Sequence, residues 1–144
     1  MKRNLLILVT AIMFVLAGCG SKPTLSEWVN GDDVAEAEST ANEQYASSGM
    51  VVDIYAEGED ILVYSIAYQK DVTAPGTSFT WGEVLDSMEQ SAIDEYFNGQ
   101  ISTLEDGMSG LFDACKSDLG IDLKAVRVEY TLEGKTLWSY DITK

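Results

Sequence analysis

Two six-residue stretches of the chain follow one plan, and that repetition limits the folds available to it. Thr24-Leu25-Ser26-Glu27-Trp28-Val29 and Thr80-Trp81-Gly82-Glu83-Val84-Leu85 each read threonine, apolar, small, glutamate, then two apolar residues. In both, the Thr hydroxyl can accept the backbone N–H at the third helical position while the Glu carboxylate reaches back to the cap, a capping box. Phe79 and Val84 also hold the spacing of a hydrophobic staple. Each stretch therefore starts a helix. Gly49 and Gly120 are placed to close the helical parts that follow.

After each glycine come two strand-like runs around a Glu-Gly turn. Met50 to Glu57 and Ile61 to Lys70 make the first hairpin, and Leu123 to Leu132 and Lys135 to Thr143 the second. The second alternates cleanly, with Val126, Val128, Tyr130 and Leu132 on one face and Arg127, Glu129 and Thr131 on the other. The order is thus α-β-β twice, in halves 24–70 and 79–144, joined by a connection containing Pro75-Gly76. Two hairpins whose apolar faces need covering predict a single α+β domain over 24–144. It would have two layers, a four-stranded antiparallel sheet with helices on one face.

Leu25 to Asn30 reads as a short helix, Gly31-Asp32-Asp33 as a break, and Val34 to Ser48 as a second helix. Asp32 and Asp33 suit its N-terminus, where negative charge meets the helix dipole. One apolar phase runs through Leu85, Ala92, Tyr96, Leu104, Met108, Leu111, Cys115 and Leu119. A straight helix over 81–119 would be about 60 Å long, too long for such a domain, so a break is expected near Asn98-Gly99.

The N-terminus reads as an address. Lys2 and Arg3 precede an uncharged run from Leu5 to Leu16, shorter than the roughly 20 residues that span a bilayer but suited to a signal peptide over 1–18. The run ends in Leu16-Ala17-Gly18-Cys19, which closely resembles the lipobox of bacterial lipoproteins. That resemblance implies cleavage after Gly18, a diacylglyceryl group on the Cys19 thiol and further acylation, palmitate among the possible chains. Two or more chains hold a protein stably at a membrane. The tether, 19–23, is short: Gly20 to Pro23 reaches roughly 14 Å. Removal of 1–18 takes away Lys2 and Arg3 but no acid, deepening the formal charge from -15 to -17.

Composition excludes several functions. With 24 acidic residues against 9 basic ones, the chain lacks the clustered cations that nucleic acid requires. Having no histidine, it cannot build a Ser-His-Asp or Cys-His catalytic set or the usual zinc sites. No cofactor site is expected. Once Cys19 is lipidated, Cys115 is the sole thiol and sits on the apolar stripe, so it reads as inert and no internal disulfide forms. Asp32-Asp33 and Glu57, Glu59 and Asp60 lack the ligand alternation of a calcium loop and read as solvated surface, with no metal site. Gly107-Met108-Ser109-Gly110 lacks both the spacing and the base of a nucleophile elbow.

Aromatic residues remain. Trp28, Trp81 and Trp138 are placed to meet the core. Tyr55, Tyr64 and Tyr68 belong to strands of which the second is apolar on both sides, and a sheet face left open by the helices but carrying these tyrosines is the candidate binding surface.

The lipobox, the segment Pro23 to Asn30 and Gly49-Met50-Val51-Val52-Asp53 leading into the Tyr-rich strand together resemble small lipoproteins of Gram-positive, clostridial-type gut bacteria. The resemblance covers nearly all of the exported part. It implies a domain of unknown function, exported and lipid-anchored on the extracytoplasmic side of the cell membrane, with no assigned catalytic residues. The expected function is a non-enzymatic binding module that holds an envelope protein or cell-wall component. The alternatives are a small envelope-polymer-processing enzyme using a carboxylate pair, or an inhibitor or regulator of another exported protein.

Overall fold

A computed structural model describes residues 22–144. Both capping boxes form. Thr24 Oγ1 accepts the Glu27 N–H at 3.2 Å and Glu27 Oε2 accepts the Thr24 N–H at 2.8 Å; Thr80 and Glu83 repeat the exchange at 3.3 and 2.9 Å. They open α1, Leu25–Val29, and a later helix, Trp81–Asp86. The staple adds little, because Phe79 stays 60% exposed.

Gly31 caps α2, Asp32–Tyr45, whose first turn carries Asp32 and Asp33 as expected. A 3-10 turn, Ala46–Ser48, then ends at Gly49 with φ +66°, the left-handed conformation a C-terminal glycine supplies. The hairpin β1, Met50–Glu57, and β2, Ile61–Tyr68, turns at Gly58, φ +69°.

The second helical part is broken twice, where the sequence suggested one break. It comprises α3, Trp81–Asp86, α4, Gln90–Asn98, and α5, Ile101–Ala114. The extra break lies at Ser87–Glu89, where the Ser87 hydroxyl donates to the Val84 carbonyl at 2.7 Å and competes with the backbone for it. The expected break, at Gly99-Gln100, is present. A π-turn, Cys115–Leu119, ends at Gly120, φ +69°. The hairpin β3, Ala125–Leu132, and β4, Lys135–Ile142, follows, with Glu133 and Gly134 both at positive φ in its turn.

The fold is α+β, with a four-stranded sheet in the order β1-β2-β3-β4. Its two hairpins are antiparallel but β2 and β3 run parallel, Tyr64 opposite Val128, so the sheet is mixed rather than wholly antiparallel. A parallel pair needs a long crossover, and residues 69–124 with their three helices supply one. The repeated halves occupy inequivalent places as a result, since β1 is an edge strand and β3 an interior one.

Register assigns the faces. Val52, Ile54, Leu62, Tyr64, Ile66, Val126, Val128 and Tyr130 share one face, are all buried and form a single core with α2 and α5 residues such as Val34, Ala37, Leu104 and Met108. The opposite face carries Asp53, Tyr55, Glu57, Arg127, Glu129 and Asp141.

The free edge of β1 is sealed by α2. The Asn42 amide accepts from the Val52 N–H at 2.6 Å and donates to the Val52 carbonyl at 3.0 Å, and Glu38 Oε1 accepts the Ile54 N–H at 2.5 Å. Edge groups left unpaired would invite another strand. Among the described residues, no helix is long and apolar enough to cross a membrane.

Candidate functional site

Of the three tyrosines expected on an open sheet face, the structure puts only Tyr55 there. Tyr64 is wholly buried and Tyr68 8% exposed, both on the helix-covered side. The reason is parity: with β2 apolar on both sides, the pairing Tyr55↔Val63 and Ile54↔Tyr64 decides which set turns inward. Cys19 lies outside the described residues.

The open face is a closed set of polar contacts around Arg127. Its guanidinium donates to Asp141 Oδ1 and Oδ2 at 2.6 and 3.1 Å and to Glu57 Oε2 at 2.5 Å, while the Tyr55 hydroxyl donates to Glu129 Oε1 at 2.9 Å. Burial, then the Glu129 carboxylate, pushes the Tyr55 hydroxyl up to about 12. The Arg127 bond holds the Asp141 carboxyl below its ordinary value. Val63, between Tyr55 and Arg127 in register, is fully buried on this helix-free face. These side chains are thus engaged with one another.

A different place gathers unengaged apolar surface. Six rings form a chain across the helix-covered side, beginning with Trp81 and Tyr68, whose centroids are 4.4 Å apart. Tyr68 stacks on Tyr130 at 6.0 Å, Tyr130 on Phe97 at 4.2 Å, Phe97 on Trp138 at 5.5 Å, and Trp138 on Tyr140 at 6.1 Å. At the Trp81 end the layer of helices opens into a cleft of about 220 Å³. Tyr68, Trp81 and Phe97 line it from the ring chain; Val84, Leu85 and Met88 from α3 and the break after it; Ile93 and Tyr96 from α4. Ala74, Pro75 and Thr77 of the connection complete it.

The connection is held rigidly enough to be a wall. The Trp81 and Gly82 N–H groups, left over at the start of α3, donate to the Val72 and Lys70 carbonyls, both at 2.9 Å. Thr73 bridges to Thr80, and the Ala74 N–H donates to the Phe79 carbonyl at 2.8 Å. A Cβ at Gly82 would stand 2.5 Å from Lys70 Cγ and 3.2 Å from the Lys70 carbonyl oxygen, so a larger residue here would have to displace the Lys70 side chain. Trp81 Nε1 donates to the Ser48 carbonyl at 2.7 Å and Thr77 Oγ1 to the Ala74 carbonyl at 2.9 Å, so these polar atoms are spent inside the protein. What the cleft presents is mainly aromatic and aliphatic surface. Pockets that take small molecules have this character.

Residues 25–142 match the model of a family described as a domain of unknown function, DUF4854, from the first turn of α1 to the end of β4. The chain belongs to the DUF4854 family. No curated protein and no solved structure matches it. The matched segment holds the second capping box, both hairpins and every wall of the cleft, so the cleft lies within the matched domain.

Two other groups in this DUF4854 domain have the chemistry of sites. Burial, chiefly, and the neighbouring Asp53 raise the Glu38 carboxyl, a pairing that a two-carboxylate hydrolase would use. Glu38, however, spends an oxygen on the Ile54 N–H at the sheet edge, and neither acid lines the cleft. Cys115 is free and fully buried, its thiol pushed up to about 11 by burial and then by Asp118, the environment of an inert cysteine. Among the described residues, no group of three or more Cys, Asp or Glu is arranged to hold a metal ion.

The sequence missed the cleft because its walls are drawn from 68, 74–77, 81–88 and 93–97 and meet only through the crossover. The one local sign was Pro75-Gly76, read as a mere connection.

Proposed function

We propose that this DUF4854 chain is a lipid-anchored, extracytoplasmic binding module that takes a small, largely apolar ligand into the cleft beside Trp81. The anchoring part rests on Leu16-Ala17-Gly18-Cys19 after a charged start and an apolar run. The binding part rests on one observation, a cleft of about 220 Å³ with aromatic walls. A dry cavity of about 150 Å³ is enough for benzene, so this volume suits one substituted ring.

Ligand-observed NMR with neutral single-ring compounds tests the binding part. Binding to the wild-type chain and its loss in Val84→Phe, which fills the cleft, is the expected result; binding that survives the filling overturns it. Labelling of cells with an alkyne analogue of palmitate tests the anchor. Label on the wild type and none on Cys19→Ala is expected, and an unlabelled wild type retained in the cytosol overturns it.

A further inference from the structure

We infer that the ligand taken by this cleft is a small organic cation, a positively charged group carried on a body the size of one ring. The inference rests on the binding reading above and adds the sign of the ligand's charge to it.

The first ground is the wall chemistry. An aromatic ring has a negative face, and a cation within about 6 Å of a ring centroid is attracted to it, most strongly by Trp. The cleft is lined by Tyr68, Trp81, Tyr96 and Phe97. Phe97 is stacked on Tyr130 and Trp138 and Tyr68 is packed on Trp81 and Tyr130, so Trp81 and Tyr96 are the rings with most face to offer a ligand. The Trp81 indole is held by its bond to Ser48 and the Tyr68 ring by its packing against Trp81 and Tyr130, so this part of the wall is preorganised.

The second ground is charge complementarity. Residues 68–97, which supply every wall, carry Asp71, Glu83, Asp86, Glu89, Asp94 and Glu95 against a single base, Lys70. Lys70 is already paired with Glu133 at 3.0 Å, and Asp86 and Asp71 also act on it. Glu89 directly follows the lining residue Met88, and Glu95 directly precedes the lining residue Tyr96; both are exposed. The segments that form the walls thus carry a net negative charge, which favours the approach of a cation over that of an anion. A neutral ligand gains nothing from this arrangement, whereas a cationic one gains both from the field and from the rings.

The experiment compares three probes of similar size on the full chain in nonionic detergent: benzyltrimethylammonium, neutral N,N-dimethylbenzamide and anionic benzenesulfonate. The readout is the Trp81 indole N–H resonance, assigned by its disappearance in Trp81→Phe. Benzyltrimethylammonium is expected to bind about tenfold more tightly than the amide. Benzenesulfonate should bind more weakly than either. The cation's advantage should shrink as salt rises from about 0.05 M to about 0.5 M.

In the variant Asp86→Asn, Glu89→Gln, Glu95→Gln, all exposed positions, the advantage should fall about threefold while amide affinity stays unchanged. If the amide binds as tightly as the cation, or the triple variant keeps the full preference, the cationic assignment is overturned and the cleft remains a binding site. If none of the three probes moves the Trp81 resonance, the binding reading falls with it.

Discussion

The indole of Trp81 donates its Nε1 hydrogen to the backbone carbonyl of Ser48 at 2.7 Å, joining the first turn of α3 to the end of the helical part that precedes β1. Packed on Tyr68 at the same time, this one side chain ties the two halves together beside the cleft. Trp81→Phe keeps a ring but strands the Ser48 carbonyl, and should cost about 1–3 kcal/mol. Trp81→Ala also leaves a hole and should cost about 3–5 kcal/mol. Urea denaturation followed by circular dichroism measures both; equal losses would mean that the ring contributes nothing.

Asn42 supplies both a donor and an acceptor to Val52 on the outer edge of β1. Asn42→Ala leaves two backbone groups without partners and should cost about 1–3 kcal/mol. It should also increase self-association on size-exclusion chromatography, because the edge is then free to pair. Asn42→Asp keeps the acceptor alone and should fall between wild type and alanine.

Two carboxyls give opposite dependences on pH. The Asp141 carboxyl is lowered by its bond to Arg127, so that contact adds stability above the unfolded-state pKa and loses it as pH falls through the folded-state one. Glu38 is raised, chiefly by burial, so its contribution is present below the unfolded-state pKa and is lost as pH rises through the folded-state one. Thermal melts from the acid range to neutrality should therefore show a smaller acid loss in Asp141→Asn. Glu38→Gln, which keeps an acceptor for Ile54, should be neutral or slightly stabilising at pH 7. A marked destabilisation by Glu38→Gln would show that the charge itself holds the edge.

Cys115 should resist alkylation. With its thiol near 11 and no exposed surface, the folded Cys19→Ser chain should react with iodoacetamide at pH 8 about a hundredfold or more slowly than the urea-unfolded chain. Comparable rates, followed by mass spectrometry, would place the thiol at the surface.

The parts legible in the sequence are those governed by neighbours along the chain. Thr24 and Glu27, Thr80 and Glu83, Gly49 and Gly120 are local devices whose chemistry operates within a turn, and all appear where their spacing places them. The alternation of Val126, Val128 and Tyr130 likewise fixed the buried face of β3. The parallel pairing of β2 with β3 was not legible, because nothing near either strand records which way the crossover returns. Tyr64 and Tyr68 were misplaced for a related reason: β2 is apolar on both sides, so only its pairing partners decide which set is inward. The cleft depends on the second helix break, and Ser87-Met88-Glu89 interrupts the helix without the glycine or proline that marks such breaks in a sequence.

The cover that Asn42 and Glu38 lay over β1 makes the sheet one-sided as a template. On the other edge, the Gln90 amide donates to the Leu137 carbonyl at 2.9 Å. Two copies meeting along β4 would bury that border and turn their guarded β1 margins outward, so growth strand upon strand stops at a pair. Copies of the domain crowded together would in this way be kept from building fibres with their neighbours.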